Sequence, residues 1–366
     1  MKLSRFPRAG SAVMVGALAL TLAACGSDNP TGETSESAGG EMSFSGELNG
    51  GGASSQESAQ AAWKAGFQGL NPDVTVNYDA VGSGGGRDGF IDGSYAFAGS
   101  DAALDEDELT AAEAQCGEVI EFPAYISPIA VVFNLEGVES INMGPETIAK
   151  VFSGEITAWD DPEIVEQNPD ADLPSTTITP VHRSDDSGTT ENFVEYLSAA
   201  APDVWTYEVE GVWPDEITGG ESGAQTAGVV QAVEAGDGTV GYVDASQVGS
   251  FGTVAVGVGD EFVPYSPEAA AAVVDGSPRI EGAGETIFAF ELARDIPGTY
   301  PIVLVSYGLA CSTYEDQETA DLVKAYWSYI VSAEGQAASA DAAGSAAISE
   351  ELSADVTAAL DAITAG

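Results

Sequence analysis

The stretch Val181-His182-Arg183-Ser184-Asp185-Asp186-Ser187-Gly188-Thr189-Thr190 sets one arginine, several small hydroxyls and a glycine ahead of a helical run. Phe193, Val194 and Leu197 recur at helical spacing, so Ser187 to Thr190 are expected to form the first turn. A helix start leaves backbone N–H groups unpaired and carries partial positive charge, which suits an anion. Arg183 adds a planar fork that matches two oxygens of a phosphate or carboxylate. Ser187 and Thr189 add hydroxyl donors, and Gly188 lets the backbone approach a ligand closely. The chemistry this pattern supports is an oxyanion cage.

Three other readings of the same residues exist. Capping residues with a surface ion pair would explain the string without a ligand. A serine hydrolase would use Ser187 as nucleophile and His182 as base, but five positions is a poor spacing. His182 is the only histidine of the chain, and no Gly-x-Ser-x-Gly elbow surrounds Ser187. A calcium loop needs a twelve-residue acidic spacing that is absent here.

Two further glycine-rich turns precede this segment. Asn49-Gly50-Gly51-Gly52-Ala53-Ser54-Ser55-Gln56-Glu57 follows a short strand and precedes a helix carrying Ala59, Trp63 and Phe67. Ser54-x-x-Glu57 has the form of a capping box there. Val81-Gly82-Ser83-Gly84-Gly85-Gly86-Arg87 follows a strand ending at Tyr78. Neither is a Walker loop, because no Gly-Lys-Ser/Thr follows. Phe97-Ala98-Gly99-Ser100-Asp101 then places a carboxylate at the end of an apolar strand.

The elements that must position these loops alternate. Runs near 75–78, 127–133, 239–243 and 301–305 read as strands, and runs near 55–68, 145–152, 189–200, 224–235 and 317–333 as helices. Such alternation predicts α/β layers. No fixed-period repeat occurs. The alanine-rich tail from 334 is expected to pack as helices on one domain. About 320 residues follow the N-terminal segments, more than one core usually holds, so two domains are expected.

Lys2, Arg5 and Arg8 precede an apolar run from Ala9 to Ala24, too short and wrongly flanked for a membrane span. It reads as an export signal over residues 1–24. Its end, Leu22-Ala23-Ala24-Cys25-Gly26, resembles the lipobox of bacterial lipoproteins, which implies lipidation of Cys25 and attachment to the extracytoplasmic face of the cell membrane. Residues 25–42 read as a flexible tether. Cys116 and Cys311 remain, and outside the cytoplasm a bridge is favoured over free thiols. Two cysteines and one histidine make no zinc spacing, so no metal or other cofactor is expected.

The chain has 10 basic and 59 acidic residues, a formal −49. Three basic residues lie in the leader, so the remainder keeps seven against 59, or −52. That field repels nucleic acid and anionic surfaces. A cage for an anion must therefore work through local, desolvated hydrogen bonds, since salt screens the outer field over about 8–10 Å.

Taken in order, these segments resemble the PstS family, the substrate-binding lipoproteins of bacterial phosphate ABC transporters. Lys150-Val151-Phe152-Ser153-Gly154-Glu155-Ile156-Thr157-Ala158-Trp159-Asp160-Asp161-Pro162 is similar to the family's G-x-I-x-x-W-x-D segment. Arg183-x-Asp185-x-Ser187-Gly188-Thr189 matches its R-x-D-x-S-G-T signature. Gly238 to Val243 and Tyr300-Pro301-Ile302 fall where the family has them, so the resemblance covers residues 44 to 330.

The resemblance implies a periplasmic-binding-protein-like fold of type II. Two α/β lobes would flank a ligand cleft, with two crossovers near Tyr125 and between Arg294 and Tyr300. Residues 43–125 plus 295–366 would form lobe 1, and 126–294 lobe 2. Cys116 and Cys311 would bridge the two halves of lobe 1. The implied phosphate donors are Ser54, Ser55, Ser83, Arg183, Ser187, Gly188 and Thr189, with Asp185 holding Arg183. The family has an aromatic and then a proline where Ser55-Gln56 stand, which leaves open whether Ser54 or Ser55 is the side-chain donor.

Asp101 beside an anion makes sense if the ligand brings a proton. Phosphate at neutral pH keeps at least one and sulfate none, so an acceptor there would favour phosphate and clash with sulfate. The expectation is a monomeric phosphate-capture lipoprotein that closes on its ligand and meets permease subunits of an ABC transporter. A binder for another tetrahedral oxyanion, sulfate or molybdate, is the nearest alternative, and a secreted hydrolase comes third.

Overall fold

A computed structural model describes residues 44–280 and 284–366. The expected leader, Cys25 and the tether lie outside the described residues. Glycine-punctuated alternation yields β1 (Ser45–Gly52), α1 (Glu57–Leu70), β2 (Asp73–Asp79), α2 (Ser83–Ile91), β3 (Phe97–Ser100) and α3 (Glu106–Cys116). β1 pairs in parallel with β2 on one side and β3 on the other. The three loops that leave these strands therefore emerge together at their carboxyl ends, beside a reversal of strand order where α/β sheets bind ligands.

The next strand, β4 (Val119–Asn134), is long and buried along nearly its whole length. It is followed by β5 (Ser140–Met143), α4 (Pro145–Ser153), α5 (Pro162–Gln167), β6 (Thr179–Arg183), α6 (Gly188–Ala200), β7 (Glu221–Gly223) and α7 (Gln225–Ala235). Then come β8 (Thr239–Asp244), β9 (Gly252–Val258), β10 (Glu261–Val263), α8 (Pro267–Asp275) and β11 (Val303–Cys311). The sheet path runs β2-β1-β3-β11-β4-β8-β6-β7, and β9 brings β5 and β10 to the far side of β4. The result is a two-lobed α/β fold of the type II periplasmic-binding-protein kind.

β4 runs through both halves, and β11 pairs with its first part. Val119 to Pro128 of β4 pair antiparallel with β11, while Ile129 to Asn134 pair antiparallel with β8. The change of partner falls at Pro128/Ile129, three residues beyond the expected Tyr125. At that seam the Tyr125 hydroxyl donates to both oxygens of Asp244, at 3.0 and 3.1 Å. Residues 286–288 lie beside the first half of β4, with Glu121 N donating to Thr286 O and Phe288 N to Glu121 O. Both halves fall within one compact unit, Ser43–Gly366.

After β11 and a short strand β12 (Thr313–Tyr314), the chain ends in α9 (Gln317–Val331), α10 (Ala333–Ala343), α11 (Glu350–Leu360) and β13 (Thr364–Ala365). The alanine-rich tail packs as helices on the first half, where the Trp63 indole donates to Gly335 O at 2.7 Å. Trp63, Phe67, Phe97, Phe122, Tyr326 and Trp327 form the aromatic centre of that core. Cys116, at the end of α3, is bonded to Cys311, at the end of β11. The bridge closes a sequence separation of 195 and ties together the two ends of the first half.

Candidate anion-binding site

Four loops converge between the halves. Ser54, Ser55, Ser83, Asp101, Arg183, Ser187 and Thr189 are all buried, none more than 4% exposed. Gly188 is buried with them. The structure brings together every cage residue expected from the sequence, and their hydrogen bonds assign different jobs to similar hydroxyls.

The first loop does not form the expected capping box. Ser54 to Gln56 make a 3-10 turn ahead of α1, and its N-cap, Ala53, makes no side-chain cap. The Ser54 hydroxyl is drawn away from the helix. It accepts from Thr226 N at 3.1 Å and shares a hydrogen bond with the Thr226 hydroxyl at 3.0 Å. The capping box of this region belongs to α3, where Asp105 and Glu108 cap each other's amides at 2.8 and 3.1 Å. Ser55 instead donates to Asp101 Oδ1 at 2.6 Å. Of the two first-loop serines, Ser54 is thus the one whose hydroxyl is not committed to Asp101.

Asp101 is the hub. Ser55 and Ser306 both donate to Oδ1 at 2.6 Å, and the Thr189 hydroxyl donates to Oδ2 at 2.8 Å. Its amide donates to Ser83 Oγ at 3.0 Å, which leaves the Ser83 proton available. Burial pushes the Asp101 carboxyl up, and the three hydroxyls and the charge of Arg183 pull it part of the way back. The group is an acceptor surrounded by donors, drawn from both halves of the molecule.

On the second half, Ser187 is the N-cap of α6 and accepts from Thr190 N at 3.2 Å. The first intrahelical bond runs from Glu191 N to Ser187 O, so the Gly188 and Thr189 amides precede the ladder and are free for a ligand. A Cβ on Gly188 would sit 2.7 Å from both Asp101 Cβ and Ser83 Oγ, so only glycine lets the two halves approach this closely. Thr189 departs from expectation: its hydroxyl serves Asp101, and its amide is the group left for an anion.

Arg183, at the end of β6, is gripped by Asp185 through Nε at 2.9 Å and Nη2 at 2.6 Å. Gln225 N also donates to Asp185 Oδ1 at 2.9 Å, from a residue held at φ 59. Such left-handed strain in a non-glycine residue collects at functional sites. Burial alone would raise the Asp185 carboxyl, but the Arg183 guanidinium outweighs it and holds the group below its usual range.

Charge is distributed unevenly around this point. The buried cations of the described residues are Arg87, Arg183 and Arg294. Arg87 donates to Ser100 Oγ at 3.2 Å and lies 3.6 Å from Asp186 across the cleft. Arg294 donates at 3.1 Å to Asn192 Oδ1, and Asn192 in turn donates to Asp101 O at 2.6 Å and Gly188 O at 2.9 Å. Each of the three is ion-paired, Arg87 with Glu108 at 2.7 Å, Arg183 with Asp185 at 2.6 Å and Arg294 with Glu195 at 2.6 Å, so these buried cations are balanced locally by carboxylates.

Thr226, Ser306, Asn192 and Gln56 had no functional signal of their own in the sequence. Ser306 lies one residue past the expected strand 301–305, and the structure extends that strand to Cys311. His182, by contrast, does not serve Ser187. Its Nδ1 lies 2.8 Å from Arg183 O, and its ring stacks on Trp213 at 4.9 Å. Among the described residues no cluster of three or more His, Cys, Asp or Glu could hold a metal ion, and no helix is long and apolar enough to cross a membrane.

Known proteins resemble this chain in sequence and in fold. The PBP superfamily domain matches residues 30–334. The chain is 33% identical over 341 residues to the phosphate-binding protein PstS 3 of Mycobacterium leprae, covering 89% of this chain and 90% of that protein. It is 34% identical over 340 residues to PstS 3 of Mycobacterium tuberculosis, with the same coverage. Among solved structures, a phosphate-binding protein from Stenotrophomonas maltophilia shares the fold at a TM-score of 0.68 and 19% identity, over 86% of this chain and 93% of that one. A putative phosphate ABC transporter substrate-binding protein with bound phosphate from Clostridium perfringens shares it at a TM-score of 0.59 and 18% identity, over 81% and 98%.

Proposed function

We propose, from the premise that this chain belongs to the PstS family within the PBP superfamily, that it captures one inorganic phosphate ion between its lobes and delivers it to an ABC permease. The observation that carries the reading is Asp101, a buried carboxylate fed by hydroxyls from both halves, in the middle of a set of anion donors. A carboxylate in an anion site is repulsive unless the ligand supplies a proton to it, which phosphate does and sulfate does not.

Within this reading the amides of Gly188 and Thr189, the hydroxyls of Ser54, Ser83 and Ser187, and Arg183 hold the phosphate oxygens. The Ser54 and Ser55 amides at the start of the first turn add donors from lobe 1. Asp185 keeps the Arg183 fork in the plane the ligand needs. No bond is made or broken, and no cofactor takes part. Donors from both lobes are satisfied together only when the ligand bridges them, so phosphate shifts a hinge equilibrium toward closure. β4 and β11 are the strands about which the lobes turn. An exported monomer, anchored through lipid on Cys25, would carry the closed form to the permease at the extracytoplasmic face.

The test is isothermal titration of the protein, stripped of bound phosphate, with phosphate and then sulfate. One-to-one phosphate binding without a sulfate response is expected. Equal binding of both anions would remove Asp101 from the specificity role, and silence to both would sink the reading.

A further inference from the structure

Behind Asp101 runs a line of buried side chains that the cage itself does not use. The Tyr326 hydroxyl donates to Gln60 Oε1 at 2.8 Å, and Gln60 Nε2 donates to Gln56 Oε1 at 2.9 Å. Gln56 Nε2 donates to Ser306 Oγ at 2.6 Å, and Ser306 Oγ donates to Asp101 Oδ1 at 2.6 Å. Tyr326, Gln60, Gln56 and Ser306 are each 1% exposed or less. Four elements contribute: α9, α1, the first-loop turn and β11.

The direction of this line follows from the groups. An amide nitrogen can only donate, so Ser306 Oγ must accept from Gln56. The single Ser306 proton is then left for Asp101. The Gln56 amide is oriented in turn by Gln60, whose own oxygen is engaged by Tyr326. Reversing the line would turn a Ser306 lone pair toward Asp101 Oδ1, which is tolerable only if Asp101 carries a proton. The relay therefore matches an ionised Asp101, and linked hydrogen bonds in a low-dielectric interior reinforce one another.

Room for the amide comes from Gly99, where a Cβ would meet Gln56 Oε1 at 2.7 Å and Nε2 at 2.8 Å.

We infer that Gln56 and Ser306 are positioning residues for ligand discrimination: they hold Asp101 as an acceptor, so that the cage selects oxyanions still carrying a proton. The inference rests on the phosphate reading above. The charged and titratable groups facing Asp101 are Arg183 from β6, Tyr78 from β2 and Tyr125 from β4. Arg183 is the charged one of the three, and it belongs to the cage.

The experiment is calorimetric titration with inorganic phosphate and with sulfate from pH 5 to 9, on the native protein and on Ser306→Ala, Gln56→Met and Ser306→Thr. Losing one donor to a buried carboxylate makes it easier to protonate and turns it into a donor. Ser306→Ala and Gln56→Met should each cut the phosphate-over-sulfate affinity ratio by about tenfold, the scale of one hydrogen bond to a charged group. They should also move the acid-side fall in phosphate affinity to higher pH. Ser306→Thr keeps the hydroxyl and should restore both.

A native ratio and a native pH profile in Ser306→Ala and Gln56→Met would overturn the inference, even if both anions bound more weakly. The two substitutions break adjacent links, so either one decides if the other fails to fold. Absence of phosphate binding by the native protein would instead bring down the functional reading, and this inference with it.

Discussion

Ser54 and Thr226 lie 172 positions apart in the chain, yet their hydroxyls meet at 3.0 Å across the cleft. Ser54 begins the turn after β1, and Thr226 sits in the first turn of α7, so the contact spans the two lobes. Thr226 N reinforces it by donating to Ser54 Oγ at 3.1 Å. The pair links lobe to lobe directly, and it orients the first-loop hydroxyl left over for a ligand.

Thr226→Val keeps the shape of the side chain and removes its hydroxyl. A net hydrogen bond is worth about 1 kcal/mol, so phosphate affinity should fall about fivefold. Calorimetry reads the affinity, and small-angle scattering with and without phosphate reads closure. Unchanged affinity would show that the Ser54–Thr226 contact is incidental to the closed state.

Asp101→Asn replaces an acceptor by a group that is half donor, facing the hydroxyls of Ser55, Ser306 and Thr189. Sites that depend on a specific polar partner discriminate steeply, so the phosphate-over-sulfate ratio should drop by at least about tenfold. Competition titration with the two anions measures it. An unaltered ratio would count against the acceptor role.

Gly188→Ala tests close approach. The added methyl would press on Asp101 Cβ and Ser83 Oγ, both 2.7 Å away, and both of these lie on the opposite lobe. Phosphate binding should weaken by at least about tenfold, while thermal stability without phosphate changes little, because overpacking costs roughly 1–3 kcal/mol only where the surfaces meet. A large loss of stability without ligand would place the clash elsewhere.

The Cys116–Cys311 bridge spans a separation of 195, and loop-closure entropy grows with that length. Reduction, or replacement of both cysteines by serine, should cost about 2–5 kcal/mol in urea unfolding. Equal unfolding midpoints with and without reductant would mean that the first lobe holds its two ends together without the bridge.

Glu121 is buried on β4, where its carboxyl accepts from Leu104 N at 2.9 Å, and burial raises it to about 8 despite that bond. The folded protein therefore keeps a proton that the unfolded chain releases above about 4.5. This contribution to stability is present below that pH and is lost as pH rises through about 8. Glu121→Gln should flatten the slope in that window and add about 2–4 kcal/mol near pH 8. Unfolding curves from pH 5 to 9 test it, and a retained slope would point to other groups.

Local chemistry makes much of this protein legible in its sequence. The Ser187-Gly188-Thr189 helix start, the glycine-rich turns at Ser54 and Ser83, and Asp101 at a strand end all depend on a few neighbouring residues. Helix and strand periods then located α4, α6, α7 and α9 closely. The capping box at Ser54 failed for a specific reason. Its hydroxyl had a better partner in Thr226, which no local pattern could name.

Short-range patterns thus specify the set of loops, their order, the α/β alternation and the excess of acid over base. Long-range packing selects which hydroxyl serves Asp101 and which is left for a ligand. It also decided where β4 changes partner, and that Ser306, 205 positions from Asp101, supplies one of its three hydroxyl donors. Those outcomes depend on how the strands and helices of both halves pack around β4. Hydrogen-bond partners at such separations are chosen by that packing, not by anything within a turn or two of the residue itself.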